Sequence, residues 1–181
     1  YNNLFIHYLS DPKNPYSIGG NSVYSICEST SRILYIGCWG GGFNILNREI
    51  NQFTTFTHDP ENPTTISDNF VQTIMEDKNG ILWIGTLKGG VNTFDPDFKT
   101  FASFQQEPGN PNSLSNDCIN IIYEDRSSTL WVGTFGGLNK FDRKTGQFVR
   151  YLHEPDNPNS LSSNTVYSIY ETVSDSAKIL W

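Results

Sequence analysis

Asp59-Pro60-Glu61-Asn62-Pro63 decides how this chain is read, because it comes back. It returns as Glu107-Pro108-Gly109-Asn110-Pro111 and Glu154-Pro155-Asp156-Asn157-Pro158, and Asp11-Pro12-Lys13-Asn14-Pro15 is the earliest copy. The copies begin at 11, 59, 107 and 154, spacings of 48, 48 and 47 residues. A fixed period of this size means one supersecondary unit stacked several times. Residues that recur in every copy then read as scaffold. Residues that break the period are the better functional candidates.

Between two such loops lie four short strand signals. In the second copy Val71 to Glu76 is β-prone, and Asp77-Lys78-Asn79-Gly80 is a hairpin turn with Asn-Gly suited to positive φ. Ile81 to Thr86 is the second strand, Gly89-Gly90 turns the chain into Val91 to Phe94, and Asp95-Pro96-Asp97 turns it into Thr100 to Phe104. No segment has a 3.6-residue period, so helix is expected to be nearly absent. Four antiparallel strands in a unit of about 48 residues make a propeller blade. The fold class is therefore all-β, with blades at 23–57, 71–105 and 119–152. With strands a to d counted outward from the axis, 4–8 is expected to be a strand d. At the other end 166–171 is expected to be a strand a, and 179–181 the start of a strand b. Four units of 48 would need 192 residues, 11 more than the chain has. A ring closed by the two termini would lack one strand, which favours a piece of a larger propeller or closure by another chain.

The recurring positions have physical jobs. Val23, Val71, Ile119 and Val166 recur on strand a, as do Ile26, Ile74, Ile122 and Ile169. Tyr35, Trp83 and Trp131 are large aromatics for the flat interface between blades. Gly37, Gly85 and Gly133 permit close backbone approach beside those rings. Glu28, Glu76, Glu124 and Glu171 would need partners if buried, and backbone donors or basic neighbours near the hairpin fit better than a metal ring. Asn44, Asn92 and Asn139 are expected to hold a neighbouring turn.

Composition excludes several classes. The net charge is −7 and the pI about 4.8, with no Lys/Arg cluster, which argues against nucleic acid and anionic membrane surfaces. Cys27, Cys38 and Cys118 share no repeat position and form no CxxC, so they read as small buried apolar residues. His7, His58 and His153 have no metal-ligand spacing, and His58 and His153 sit at loop starts, where they suit capping. Gly40-Gly41-Gly42 precedes no helix and is no anion cradle. The acid-Pro-x-Asn-Pro loops offer oxygens, but their recurrence favours a turn scaffold over calcium. No catalytic residue, metal site or cofactor is expected.

The pattern Asn-x-Val-x-x-Ile-x-Glu-Asp, then Gly-x-Leu-Trp-Ile-Gly-Thr, then Gly-Gly-x-Asn-x-Phe-Asp resembles the two-component regulator propeller repeat. Asn69 to Asp95 and Asp117 to Asp142 are its clearest copies, and Asn-Pro-x-Ser-Leu-Ser at Asn110 to Ser115 and Asn157 to Ser162 also fits. The first copy departs from it, with Ser29, Tyr35 and Cys38 where others have Asp, Trp and Thr, and the fourth has a longer hairpin, Thr172 to Lys178. The resemblance implies a propeller of seven blades, often two in tandem. It implies the extracytoplasmic, periplasmic sensor region of a hybrid histidine kinase/response regulator in carbohydrate-degrading bacteria, with an immunoglobulin-like domain, transmembrane helix and kinase following. The implied ligands are oligosaccharides, and the implied assembly is a dimer. No kinase motif lies in this chain.

Strand geometry narrows the ligand search. The d–a loops and b–c turns emerge at one end of such a blade, and the a–b and c–d turns at the other. The long d–a loops mark the first end as the binding face. The b–c turns differ between copies, carrying Trp39, Lys88 and Phe135. Trp39 and Phe135 could stack on sugars, and Lys88 could meet a carboxylate or sulfate. On strand a, Tyr24, Gln72, Asn120 and Tyr167 share one position that could face the axis. Three functions remain: a ligand-sensing module, an assembly propeller completed by another chain, and a lyase or hydrolase propeller resting on Tyr24 and Tyr167 alone.

Overall fold

The computed structural model describes residues 5–174 and 177–180. These residues form strands, turns and loops, with no helix among them. Three four-stranded antiparallel sheets follow one another. The first holds β1 (Val23–Glu28), β2 (Leu34–Cys38), β3 (Phe43–Asn47) and β4 (Gln52–Phe56). The second holds β5 (Val71–Glu76), β6 (Leu82–Thr86), β7 (Val91–Asp95) and β8 (Thr100–Phe104). The third holds β9 (Ile119–Glu124), β10 (Leu130–Thr134), β11 (Gly137–Asp142) and β12 (Gln147–Tyr151). Strand order equals chain order in each sheet, which is the up-and-down meander of a blade. A hairpin of β13 (Glu171–Ser174) and β14 (Ala177–Leu180) begins a fourth.

The two end pieces differ from expectation. Residues 5–8 are not strand, although Tyr8 packs its ring edge-on against Phe53 at 5.3 Å. It takes the place that Phe56 takes against Phe101, at 5.8 Å, one seam further on. The aromatic anchor is thus present without a sheet to hold the backbone. At the other end 166–170 is not strand, and the hairpin closes further out, at Glu171–Ser174 and Ala177–Leu180. Glu171 still faces Leu180, as Glu124 faces Leu130, so the repeat register is kept. The extra hairpin residues pair instead. Leu4 and Trp181 of the expected end strands, and residues 175–176 of the expected hairpin, lie outside the described residues.

Each strand a carries a fault at the same place. Val23 faces Cys38 while Ser25 faces Gly37, so Tyr24 is an extra residue in the ladder. Gln72 and Asn120 are extra in the same way. A bulge of this kind re-aims the inserted side chain and tightens the local twist. All three are positions singled out by the repeat comparison.

The core lies in the seams between sheets. Phe43 and Phe56 of the first blade meet Phe94 and Phe101 of the second, with ring centroids 5.1 to 5.8 Å apart. Trp83 and Phe104 of the second meet Phe141 and Phe148 of the third. Aromatic faces suit these flat junctions because they bury large areas with few rotatable bonds. The strand-b glycines serve a different contact from the one expected. A Cβ on Gly85 would come within 2.5 Å of Ile119 Cγ2, the first strand-a residue of the next blade, and within 2.6 Å of Thr73 Cγ2. Gly37 and Gly133 are filled likewise by Val71 and Val166. The close approach is to an aliphatic branch, not to the rings. Gly85→Ala should therefore cost about 1–3 kcal/mol through overpacking. A urea midpoint unchanged from the parent would show that the seam can open by a methyl group.

Polar links follow the same step from blade to blade. Glu76 accepts the Thr30 N–H at 2.7 Å, Glu124 that of Lys78 at 2.7 Å, and Glu171 that of Arg126 at 2.9 Å. The recurring glutamates thus satisfy the preceding blade's hairpin, as expected of buried acids. Asp77 accepts from Trp83 Nε1 at 2.8 Å, from the Asn79 and Ile81 amides, and from Arg143 at 2.7 Å. Arg143 also pairs with Glu124 at 3.1 Å. Asn44, Asn92 and Asn139 are fully buried, and each accepts the amide of the d–a loop before its blade: Gly19, Ser67 and Ser115.

Candidate functional site

The d–a loops are built as scaffold. In every copy the Asn amide donates to the acid's carbonyl, as in Asn62 to Asp59 and Asn157 to Glu154, and the Asn carboxamide accepts an amide two residues on. His58 and His153 place Nδ1 2.8 and 2.6 Å from the carbonyls of Ile66 and Leu161, closing the loops as capping residues. Among the described residues no group of three or more His, Cys, Asp or Glu is placed to hold a metal ion. Burial pushes the thiols of Cys27, Cys38 and Cys118 up, so they sit as neutral packing groups.

The b–c turns lie against these loops. Trp39 N donates to Ser22 O, Leu87 N to Phe70 O and Phe135 N to Cys118 O. This fixes the equivalence: Leu87, not Lys88, stands where Trp39 and Phe135 stand. Lys88 is one residue further and exposed, with its amide held by Asp68 Oδ2 at 2.9 Å.

The seven candidates fall at separate seams. Tyr24 stacks on Trp39, with centroids 4.8 Å apart and planes 23° from parallel. Trp39 meets Phe70 edge-on at 5.0 Å. Tyr24 is 56% and Trp39 37% exposed, so the pair offers an accessible aromatic surface. The Tyr24 ring reaches Trp39 because the bulge turns it toward the b–c turn. Phe135 and Tyr167 meet edge-on at 5.8 Å, both exposed. Gln72 and Asn120 are half-buried and reach the following blade, at Cys118 Sγ (3.6 Å) and Val166 O (3.0 Å). Phe70 was not legible as part of the site, because it precedes strand a and its equivalents in other copies are Cys118 and Thr165. Only the packing of Trp39 across the seam reveals it.

This arrangement contains an aromatic surface and hydrogen-bonding groups. Such a surface binds flat or ring-shaped ligands by stacking.

Residues 65–88 and 113–136 match the family model of the two component regulator propeller. Comparison with curated proteins gives no match. Among solved structures the chain is similar to the extracellular domain of a putative hybrid two component system from B. thetaiotaomicron, with TM-score 0.72 and 22% identity over 83% of this chain and 20% of that one. A second such extracellular domain from the same organism aligns with TM-score 0.67 and 21% identity over 83% of this chain and 19% of that one. Virginiamycin B lyase from Staphylococcus aureus aligns at TM-score 0.56 and 11% identity, over 78% of this chain and 45% of that one. At these identities the likeness is one of fold. The chain spans about a fifth of the length of the first two structures. Segments 65–88 and 113–136 thus match the two-component regulator propeller repeat, and the chain is a run of β-propeller blades.

Proposed function

We propose that this chain is a non-catalytic ligand-sensing segment of a larger propeller, seven-bladed on the family pattern, in the periplasmic region of a two-component sensor. The ligand is an oligosaccharide bound on the loop face. The stacked, exposed Tyr24–Trp39 pair supports this reading most directly. Sugar rings present flat faces of C–H groups that pack on such surfaces, while hydroxyls find polar groups nearby. Signalling then follows from a shift in the arrangement of a sensor dimer, which needs differential binding and no chemistry. Calorimetry of the intact sensor region against glycan fragments tests it. Trp39→Ala should weaken the best oligosaccharide by about tenfold, roughly 1.4 kcal/mol. A fully folded region that binds no fragment, or a variant that binds as well as the parent, would sink the proposal.

A further inference from the structure

The seam between the first and second blades lacks the filling of the next seam. In the second seam the Trp83 indole stacks near Phe104 at 6.1 Å, meets Phe141 at 5.1 Å and donates to Asp77. Arg143 lies 5.9 Å from the Trp83 ring centroid and bonds Asp77 and Glu124. The period maps Trp83, Phe104, Phe141, Asp77 and Arg143 onto Tyr35, Phe56, Phe94, Ser29 and Pro96. The indole has become a phenol, the acid a hydroxyl and the guanidinium a proline. The Tyr35 ring stacks on Phe43 at 5.5 Å instead. A groove of about 600 Å³ is left on the a–b and c–d turn side, away from the loop face, with Tyr35, Phe56, Phe94 and Pro96 in its walls.

The rim is cationic. Arg32, Arg48 and Lys99 converge on it in a chain of net charge −7, with Glu49 the one acid. Arg48 is engaged by Glu28 at 2.8 Å. Among the described residues Arg32 and Lys99 make no ion pair. Both stand at left-handed turn positions, with φ of 62° and 55°. Other copies put Gly80 and Ser128 at the first of these positions, and Asn51 and Gly146 at the second. Long side chains are held there against local backbone preference, and strain of this kind is tolerated where a side chain has work to do.

We propose that this groove binds a small organic anion carrying a flat apolar ring, of the aromatic carboxylate class. The ring takes the place that the indole occupies in the next seam, and the carboxylate meets Arg32 and Lys99. The probe is indole-3-acetate, which unites the two groups that Trp83 and Asp77 supply next door. In an amide NMR titration of the full chain, the Arg32, Phe94 and Lys99 signals should shift saturably, and Leu87 on the loop face should not. Arg32→Gly with Lys99→Gly installs the glycine that one other copy carries at each turn, Gly80 at the first and Gly146 at the second. It should weaken binding at least tenfold while leaving the melting temperature unchanged or higher. The combined change Ser29→Asp, Tyr35→Trp, Pro96→Arg, with Phe43→Val to make room for the indole, rebuilds the neighbouring filling and should abolish binding. The proposal is overturned by an absence of saturable shifts, by a double-glycine variant that binds like the parent, or by neutral 3-methylindole binding as tightly as the acid.

Discussion

Asp77→Ala is expected to destabilise the chain by about 3–5 kcal/mol, the range for breaking a buried, fully bonded ion pair from one side. The Asp77 side chain has no solvent exposure, and its two oxygens satisfy the Trp83 indole N–H, the Asn79 and Ile81 amides and Arg143. Truncation leaves those donors facing a void at the junction of two blades. Urea unfolding followed by tryptophan fluorescence measures the loss, and less than about 1 kcal/mol would mean that water re-satisfies the donors. The same site sets an acid limit. Burial alone would raise the Asp77 pKa, but hydrogen bonds from Trp83, Arg143 and Ile81 outweigh it and hold the carboxyl below its ordinary value of 3.8. A carboxyl depressed on folding stabilises above its unfolded pKa, and that contribution fades as pH falls through the folded one. Stability should drop below about pH 4 in the parent, and less steeply in Asp77→Asn.

Phe43→Ala should cost a similar amount, about 3–5 kcal/mol, by opening a cavity. Phe43 is fully buried and lies 5.1 to 5.9 Å from the rings of Tyr35, Phe56, Phe94 and Phe101. Its equivalent in the second blade is Val91, which faces Gly85 as Phe43 faces Gly37. The two seams therefore trade volume: Tyr35 with Phe43 in one, Trp83 with Val91 in the other. Phe43→Val and Tyr35→Trp should each destabilise alone, and together should cost less than their sum, because they share one space. Strict additivity in thermal unfolding would show that the trade is accidental.

The period made the blades legible, since strand signals, Gly-Gly turns and Asn-Pro loops recurred in register. The ends were not, because a strand needs a continuous ladder to a neighbour, and residues 5–8 and 166–170 form none among the described residues. The scaffold roles of Glu76, Asn92 and His58 followed from recurrence and from the cost of burying polar groups. The bulges at Tyr24, Gln72 and Asn120 did not, because an inserted residue in one strand is visible only against its partner. The turn aromatics Trp39 and Phe135 were legible as departures from the period. Phe70, and the true equivalence of Leu87, needed the loop hydrogen bonds. The unfilled seam was half legible: Ser29 and Tyr35 stood out as departures, but Pro96 belongs to them only once the blades are packed.

Each blade carries one half of two different junctions, and the halves are not interchangeable. If the second unit were duplicated in place, Pro96 of the copy would meet Trp83 and Asp77 of the original. The acid would be buried without its guanidinium, at a cost of several kcal/mol. A unit added or moved within this array would thus meet a penalty at its junctions, whatever the quality of its own fold.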